Sequence, residues 1–225
     1  VAPCTQSSSN IESAPPTIEG DFMLTIFGSP KSSSGRCFWC LEEVGAKYDV
    51  KSIDFRAREH KSESYLKINP NGKVPTLTDG DFIIWESMAI NFYLAEAHKP
   101  ELLGKDSQGR ALVQQWSFWA LAELQVPIID TFIQLVFVPE ASRDQALIEK
   151  ARTKIPVLLQ VLDGALENNS YLVGSEFTLA DLNVASVVTI CSAIQYDISA
   201  YKNIQTWMGK ITARPAFARY TALCK

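Results

Sequence analysis

One stretch of the N-terminal half combines turn, strand and helix-start signals in a way that could bind an anion. Asn69–Gly72 is a turn sequence. Two short apolar runs, Val74–Leu77 and Phe82–Trp85, flank the dipeptide Asp79-Gly80, which predicts a β-hairpin. Helical periodicity begins after Ser87, which predicts that Ser87 is the N-cap of a helix. Free N–H groups at a helix start beside a strand edge suit a carboxylate, so this stretch predicts a binding site for a small anion.

A serine-rich loop precedes the first predicted helix. It follows a predicted strand, Met23–Phe27, and contains four hydroxyl side chains, those of Ser29, Ser32, Ser33 and Ser34. Composition alone favours a loop that caps a helix. The helix itself has an apolar stripe and ends at Gly45, a residue suited to a helix C-terminus; the stripe consists of Cys37, Cys40, Leu41 and Val44.

The spacing of Cys37 and Cys40 also raises a redox interpretation. In dithiol oxidoreductases the first cysteine lies at the helix N-terminus, where the helix dipole lowers its pKa. Here both cysteines lie a turn further into the helix, on its apolar stripe. The pattern therefore favours buried thiols that pack as small apolar side chains.

The order of predicted elements divides the chain into two domains. Residues 22–98 read as β-α-β, a charged irregular segment at 56–66, and β-β-α, with a strand at Tyr48–Asp54. Residues 99–107 read as a linker, and residues 108–225 as an all-helical domain. The predicted helices are Gly109–Phe137 with a kink or break at Pro127, Arg143–Glu167, one that begins with a capping box at Thr178–Asp181, Ile204–Thr212 and Ala216–Leu223.

Residues 1–21 are polar, with few apolar side chains, and lack the features of an intact signal peptide. We expect a disordered tail or the remnant of an expression tag. Met23 stands directly before the first predicted strand and is a candidate native start, with a natural extension as the alternative.

Composition narrows the class of protein. The chain has 225 residues, 47% of them hydrophobic, and a net charge of −4, which gives no reason to expect nucleic acid or a membrane as partner. Apolar runs are shorter than the roughly 20 residues of a membrane span. Five cysteines without metal-site spacing suggest reduced thiols and no metal. We therefore expect a soluble cytoplasmic protein.

Three motifs together resemble the soluble glutathione transferases, closest to the serine-type phi class. They are Phe27-Gly28-Ser29-Pro30-Lys31-Ser32-Ser33-Ser34-Gly35-Arg36, Lys73-Val74-Pro75, and Glu86-Ser87-Met88-Ala89-Ile90. The resemblance covers the chain from Leu24 onward. It implies a thioredoxin-like α+β domain (βαβ/ββα) followed by an all-α domain, and an enzyme that takes glutathione as co-substrate.

The resemblance also implies roles for individual residues. Ser32 takes the catalytic position, and Ser33 and Ser29 are the alternatives, since other classes shift that residue. A free thiol has a pKa near 8.5 and only the thiolate attacks, so a hydroxyl donor at a helix N-terminus would activate glutathione. The implied glutathione-binding set is His60, Lys61 and Lys73 for the glycine carboxylate, Val74 with a cis Pro75 for the cysteinyl backbone, and Glu86 with Ser87 for the γ-glutamyl end.

Several functions remain open at this level. The first is attack of glutathione on a small electrophile, as in detoxification. A glutathione-dependent peroxidase, isomerase or dehalogenase would share the site. A non-catalytic binding or regulatory protein of the same fold is the other alternative. The resemblance further implies a homodimer and a second-substrate pocket between the domains, near the aromatic residues Trp116, Phe118, Trp119, Phe132 and Phe137.

Overall fold

The structure, a computed structural model, describes residues 24–225, so the predicted tail and Met23 lie outside the described residues. Within residues 24–98 the structure contains four strands, three helices and a single 3₁₀ turn at Glu59–Lys61. The strands are β1 (Leu24–Phe27), β2 (Tyr48–Lys51), β3 (Thr76–Asp79) and β4 (Phe82–Trp85). The helices are α1 (Gly35–Val44), α2 (Glu63–Leu66) and α3 (Ser87–His98).

The four strands form one mixed sheet in the order β2-β1-β3-β4. β1 pairs parallel with β2 and antiparallel with β3, and β3 pairs antiparallel with β4. The predicted hairpin is confirmed, with Asp79 opposite Phe82 and Gly80 at a φ of 56° in the turn. The βαβ/ββα prediction is therefore correct, although β2 ends at Lys51 and β3 begins at Thr76.

The remaining helices form an all-helical half. They are α4 (Ser107–Trp119), α5 (Gln125–Val136), α6 (Gln145–Ala165), α7 (Leu179–Val188), α8 (Ile190–Ala193), α9 (Lys202–Thr212) and α10 (Pro215–Leu223). A 3₁₀ turn, Pro100–Leu103, lies within the predicted linker, and a second one, Glu140–Ser142, precedes α6. The predicted capping box at Thr178 is present, with the Thr178 N–H donating to Asp181 Oδ2 at 2.9 Å.

The long helix predicted at Gly109–Phe137 is interrupted earlier than expected. A π-helical turn at Ala120–Leu124 separates α4 from α5, whereas Pro127 lies inside the first turn of α5. Pro127 has no N–H to donate to the preceding turn, so a regular α-helical hydrogen-bond pattern cannot pass through this point. The break in the helix therefore lies in the turn before the proline, which adopts the wider hydrogen-bonded rings of a π-helix.

The continuous segment Ser107–Val136, 30 residues long, is apolar enough by length and composition to cross a membrane, a test that the core helix of a soluble protein also passes. Its inward side chains, including Val113 and Leu124, belong to the main core cluster. Other large apolar side chains are exposed, among them Phe118 at 58% and Val126 at 50%. The segment therefore has one face in the core and a second apolar face at the surface.

The two halves share a core. Leu77 of the sheet, Trp39 of α1 and Leu162 of α6 belong to the same cluster of buried residues. A buried polar link accompanies it, in which Asn91 Nδ2 donates to Asn183 Oδ1 at 2.8 Å. α1 is packed between α3, α7 and α10, so the helix that follows the serine-rich loop is fixed by both halves.

Candidate functional site

The serine-rich loop leaves β1 at Gly28 and enters α1 at Gly35. Gly28 has a φ of 141°, and a Cβ there would lie 2.2 Å from Ser34 Oγ, so only glycine permits this approach. Ser34 is completely buried as the N-cap residue of α1. The loop is thereby folded tightly onto the start of the helix.

Ser32 lies in this loop with a half-buried side chain. Its hydroxyl donates to the Ser29 carbonyl oxygen at 2.7 Å, and its Oγ accepts the Ser34 N–H at 3.1 Å. The Gly35 N–H also donates to the Ser32 carbonyl oxygen, at 2.9 Å. The side chain therefore sits at the positive end of α1, with its oxygen already accepting a backbone N–H of the helix start.

The other two candidate hydroxyls have different surroundings. The Ser33 hydroxyl donates to the Val74 carbonyl oxygen at 3.0 Å. Ser29 Oγ accepts the Lys31 N–H at 3.3 Å, three residues before Ser32 and further from the helix start. Ser33 thus joins the loop to the segment predicted to bind the cysteinyl part of glutathione.

That segment adopts the predicted backbone, because the Val74-Pro75 peptide bond is cis. The Lys73 carbonyl oxygen just before it accepts hydrogen bonds from Tyr65 Oη at 2.7 Å and from Asn69 Nδ2 at 2.8 Å. Val74 is buried with Phe27 and Tyr65 in a small apolar cluster. The Tyr65 hydroxyl of the short helix α2 and the Asn69 amide after that helix therefore hold the backbone directly before Val74 in place.

The three cationic candidates surround the turn before Val74. Lys61 Nζ donates to the Asn71 carbonyl oxygen at 3.2 Å, and Gly72 beside it has a φ of 57°. His60 is half-buried against the Phe55 ring at 4.7 Å, and its buried Nδ1 has no hydrogen-bond partner within residues 24–225. Lys73 is exposed at the end of the turn.

The start of α3 differs from the prediction. Glu86, not Ser87, is the N-cap residue, and Ser87 is the first residue of the helix. Glu86 has a φ of 75° and a ψ of 115°, a region that non-glycine residues rarely occupy. Such backbone strain concentrates at ligand sites, and here it occurs at an exposed glutamate whose side chain makes no cap hydrogen bond to the helix N–H groups. The Glu86-Ser87 pair remains at the helix start that the sequence identified.

Sequence reasoning assigned no role to Arg36, although its position in the loop motif was visible. Its guanidinium donates to Gln125 Oε1 and, at 3.7 Å, to Met88 Sδ. Burial lowers the pKa of Arg36, and the part of the chain that the structure describes contains no carboxylate in ion-pair contact with it. This cation links α1 to α3 and α5. An arginine in the first turn of the helix, beside its apolar stripe, was the available signal.

The expected second-substrate pocket between the halves stays a prediction. A groove of about 420 Å³ lies between α5 and α6 and is lined by no residue of the sheet domain. Trp116 and Trp119 pack edge to face at 5.2 Å. Within residues 24–225, no group of three or more His, Cys, Asp or Glu side chains is arranged to hold a metal ion.

Comparison with known proteins identifies the family. Residues 23–96 match the model of the glutathione S-transferase N-terminal domain, and residues 126–215 match that of the C-terminal domain. Glutathione S-transferase 1 of Zea mays is 33% identical over 84% of this chain and 91% of its own. Glutathione S-transferase F10 of Arabidopsis thaliana is 32% identical over 89% of this chain and 97% of its own. The relatives thus include plant F-type transferases, in agreement with the phi-like loop.

Solved structures agree with these matches. A glutathione S-transferase I with bound lactoylglutathione superposes with a TM-score of 0.82 at 32% identity, covering 89% of this chain and 99% of the other. Glutathione S-transferase I from maize in complex with an atrazine glutathione conjugate gives a TM-score of 0.82 at 31% identity, covering 89% and 97%. The predicted fold is confirmed. This chain is a member of the glutathione S-transferase family, an enzyme that uses glutathione as its co-substrate.

Proposed function

We propose that this enzyme activates the thiol of glutathione through the Ser32 hydroxyl and directs the thiolate at a small electrophilic substrate. The observation that supports this role best is the location of Ser32. Its half-buried Oγ accepts the Ser34 N–H at 3.1 Å, at the positive end of α1. A hydroxyl at that point can donate to a thiolate, and the helix dipole favours the same charge.

The competing hydroxyls are less suited to the task. Ser34 is completely buried, and the proton of Ser33 is directed to the Val74 carbonyl oxygen at 3.0 Å. Ser32 itself donates to the Ser29 carbonyl oxygen, so activation requires its hydroxyl to rotate from that acceptor to the thiolate. An ionised acceptor makes the stronger hydrogen bond, which favours this exchange.

The binding roles follow the geometry of the same region. We assign the glycine carboxylate of glutathione to Lys61, Lys73 and His60, which surround the turn before Val74. We assign the cysteinyl part to the backbone of Val74, whose peptide bond to Pro75 is cis. We assign the γ-glutamyl end to Glu86 and Ser87 at the start of α3. The acidic side chain would bind the ammonium group, and the free helix N–H groups would bind the carboxylate.

The test is a titration of the glutathione thiol bound to the enzyme, following thiolate absorbance against pH. We expect a lowered thiol pKa in the wild type. In Ser32→Ala the pKa should return to about 8.5, the value of a free thiol. The kcat/KM at neutral pH should fall roughly 100-fold, as when one donor to a developing anion is removed. An unshifted thiol pKa in both proteins would reject thiol activation altogether.

We further propose that the enzyme is a homodimer of the cytoplasm. Large apolar side chains are exposed on β4 and on the α4–α5 segment, including Ile83 at 40%, Trp85 at 39% and Val126 at 50%. Exposed apolar surface of this kind is typical of protein interfaces. The described cysteines are free thiols, which suits a reducing compartment. Light scattering of the full chain should give a mass twice that of one chain. The Trp85→Lys variant should shift the measured mass toward that of a single chain.

A further inference from the structure

Helix α10 packs along α1 and contacts it through hydrogen bonds and a stacked pair of aromatic rings. Arg214 Nε donates to Glu43 Oε2 at 3.1 Å, and Arg219 Nε donates to Glu42 Oε2 at 2.8 Å. The Trp39 ring is stacked parallel to the Tyr220 ring, with centroids 5.9 Å apart and planes at 5°. The position of α10 is therefore fixed relative to the helix that begins at the serine-rich loop.

The last turn of α10 reaches the loop itself. Tyr220 Oη donates to the Pro30 carbonyl oxygen at 3.5 Å, and Cys224 Sγ donates to the same oxygen at 3.8 Å. Lys31 Nζ in turn donates to the Lys225 carbonyl oxygen at 3.1 Å. A donor in α10, Tyr220, and a donor directly after it, Cys224, thus bond to the same loop carbonyl oxygen. The loop cation Lys31 donates in the opposite direction, to the C-terminal segment.

Gly35 makes this approach possible. A Cβ at Gly35 would lie 2.7 Å from Tyr220 Oη and 2.7 Å from the Pro30 carbonyl oxygen. Both distances are below any normal contact, so a side chain there would separate α10 from the loop. The glycine is therefore required by the contact between Tyr220 and Pro30.

The Pro30 carbonyl lies next to the anchor of Ser32. The Ser32 hydroxyl and N–H both bond to the Ser29 carbonyl oxygen, at 2.7 Å and 3.0 Å. We propose that Tyr220 is a positioning residue, which holds the Ser29–Pro30 backbone so that the Ser32 hydroxyl stays at the start of α1. This inference rests on the proposed role of Ser32. Under this proposal, α10 influences the pKa of the glutathione thiol through its contact with the loop.

The experiment is a double-mutant cycle of Tyr220→Phe and Ser32→Ala, read by the pKa of the bound glutathione thiol. Tyr220→Phe keeps the ring on Trp39 and removes only the hydroxyl. We expect the single variant to raise the thiol pKa and to lower kcat at pH 6.5 about threefold, the scale of one neutral hydrogen bond. In the Ser32→Ala background the same change should have no further effect on the thiol pKa, because Tyr220 acts through Ser32.

Tyr201→Phe is the matched control, because Tyr201 Oη also donates to a proline carbonyl oxygen, that of Pro156, at 3.5 Å but within the helical half. It should leave the thiol pKa unchanged at similar thermal stability. If Ser32→Ala shifts the thiol pKa and Tyr220→Phe does not, Ser32 keeps its role and Tyr220 loses its own. If Ser32→Ala has no effect, the proposed activation fails, and the positioning role falls with it.

Discussion

The Ser33 hydroxyl donates to the Val74 carbonyl oxygen at 3.0 Å across 41 positions of the chain. This bond connects the loop that carries the candidate catalytic hydroxyl to the cis Val74-Pro75 segment, which we assign to the cysteinyl backbone of glutathione. A hydroxyl has one proton, and that of Ser33 is donated to the Val74 carbonyl oxygen. The same contact therefore fixes the distance between two parts of the site and separates the functions of two adjacent serines.

We therefore predict that Ser33→Ala leaves the pKa of the bound glutathione thiol near its wild-type value. The free energy of unfolding should fall by about 1 kcal/mol, as for the loss of one hydrogen bond. Thiol titration and denaturant unfolding would measure the two effects. A thiol pKa raised to the extent seen in Ser32→Ala would transfer the activating role to Ser33.

The cysteines of the Cys37-Phe38-Trp39-Cys40 segment should be inert in the folded enzyme. Both are buried, with Cys37 Sγ donating to the Ser87 carbonyl oxygen at 3.4 Å. Burial raises the pKa of Cys37 to about 12 and that of Cys191 to about 11, so almost no thiolate exists at pH 8. Burial also raises the pKa of Cys40.

Thiol titration with a disulfide reagent tests this. In a Cys4→Ser, Cys224→Ser variant we expect no reaction at pH 8 in native buffer and three thiols after unfolding in guanidinium. The same titration with Cys224 retained is the control, since its half-buried thiol should react in the native enzyme. Rapid reaction of Cys37 in the folded protein would restore the dithiol interpretation of this motif.

Local sequence signals predicted the parts of the site that local chemistry determines. The β3–β4 hairpin was predictable from its turn residues, Asp79 and Gly80. The left-handed conformation of Gly45 after α1 was predictable because the residue is a glycine. The cis Pro75 came from family resemblance and not from the residues, since cis is the minority state of any such bond. Glu86 as N-cap was missed because its φ of 75° is imposed by the surrounding fold against its own preference.

Contacts between segments that are distant in the chain could not be predicted from the sequence, for a different reason. The bonds from Ser33 to Val74 and from Tyr220 to Pro30 join positions that no periodicity relates. The π-helical turn at Ala120–Leu124 depends on how α4 and α5 pack. The prediction, made from the presence of a proline alone, therefore placed the break at Pro127, three residues after the turn ends. The short α2 escaped because four residues cannot display a helical period.

Asp181 should be the most sensitive residue of the helical half. Its buried carboxylate accepts the Thr178 N–H at 2.9 Å, the Leu172 N–H at 2.8 Å and Trp207 Nε1 at 2.8 Å. Asp181→Ala leaves these donors buried and unpaired, so we predict a loss of about 3 kcal/mol in the free energy of unfolding. Equilibrium unfolding in urea would measure it.

Asp144→Ala provides the comparison, because Asp144 also caps a helix, accepting the Leu147 N–H at 3.0 Å, but is exposed. Its loss should be about 1 kcal/mol, the usual cost of removing an N-cap side chain. Equal losses in the two variants would mean that Asp181 acts only as a helix cap and that its bonds to Leu172 and Trp207 contribute nothing.

Lys61 and Lys73 should determine affinity for glutathione without changing the chemistry. Lys61 Nζ is oriented by the Asn71 carbonyl oxygen at 3.2 Å, and Lys73 is exposed beside the same turn. Each alanine variant should raise the KM for glutathione roughly 10-fold, the scale of one charge-assisted hydrogen bond. The kcat should stay within about twofold, since binding that is equal in ground and transition states does not alter it.

A glutathione analogue amidated at its glycine carboxylate makes this prediction specific. The wild-type enzyme should bind it about as weakly as the variants bind glutathione, and Lys61→Ala should then add little further loss, because the partner charge is already gone. Lys67→Ala is the control, since Lys67 lies nearby on the surface but pairs with Glu63 at 2.9 Å. If the Lys61→Ala penalty persisted in full with the amide, Lys61 would support the Asn71–Gly72 turn and make no contact with the carboxylate.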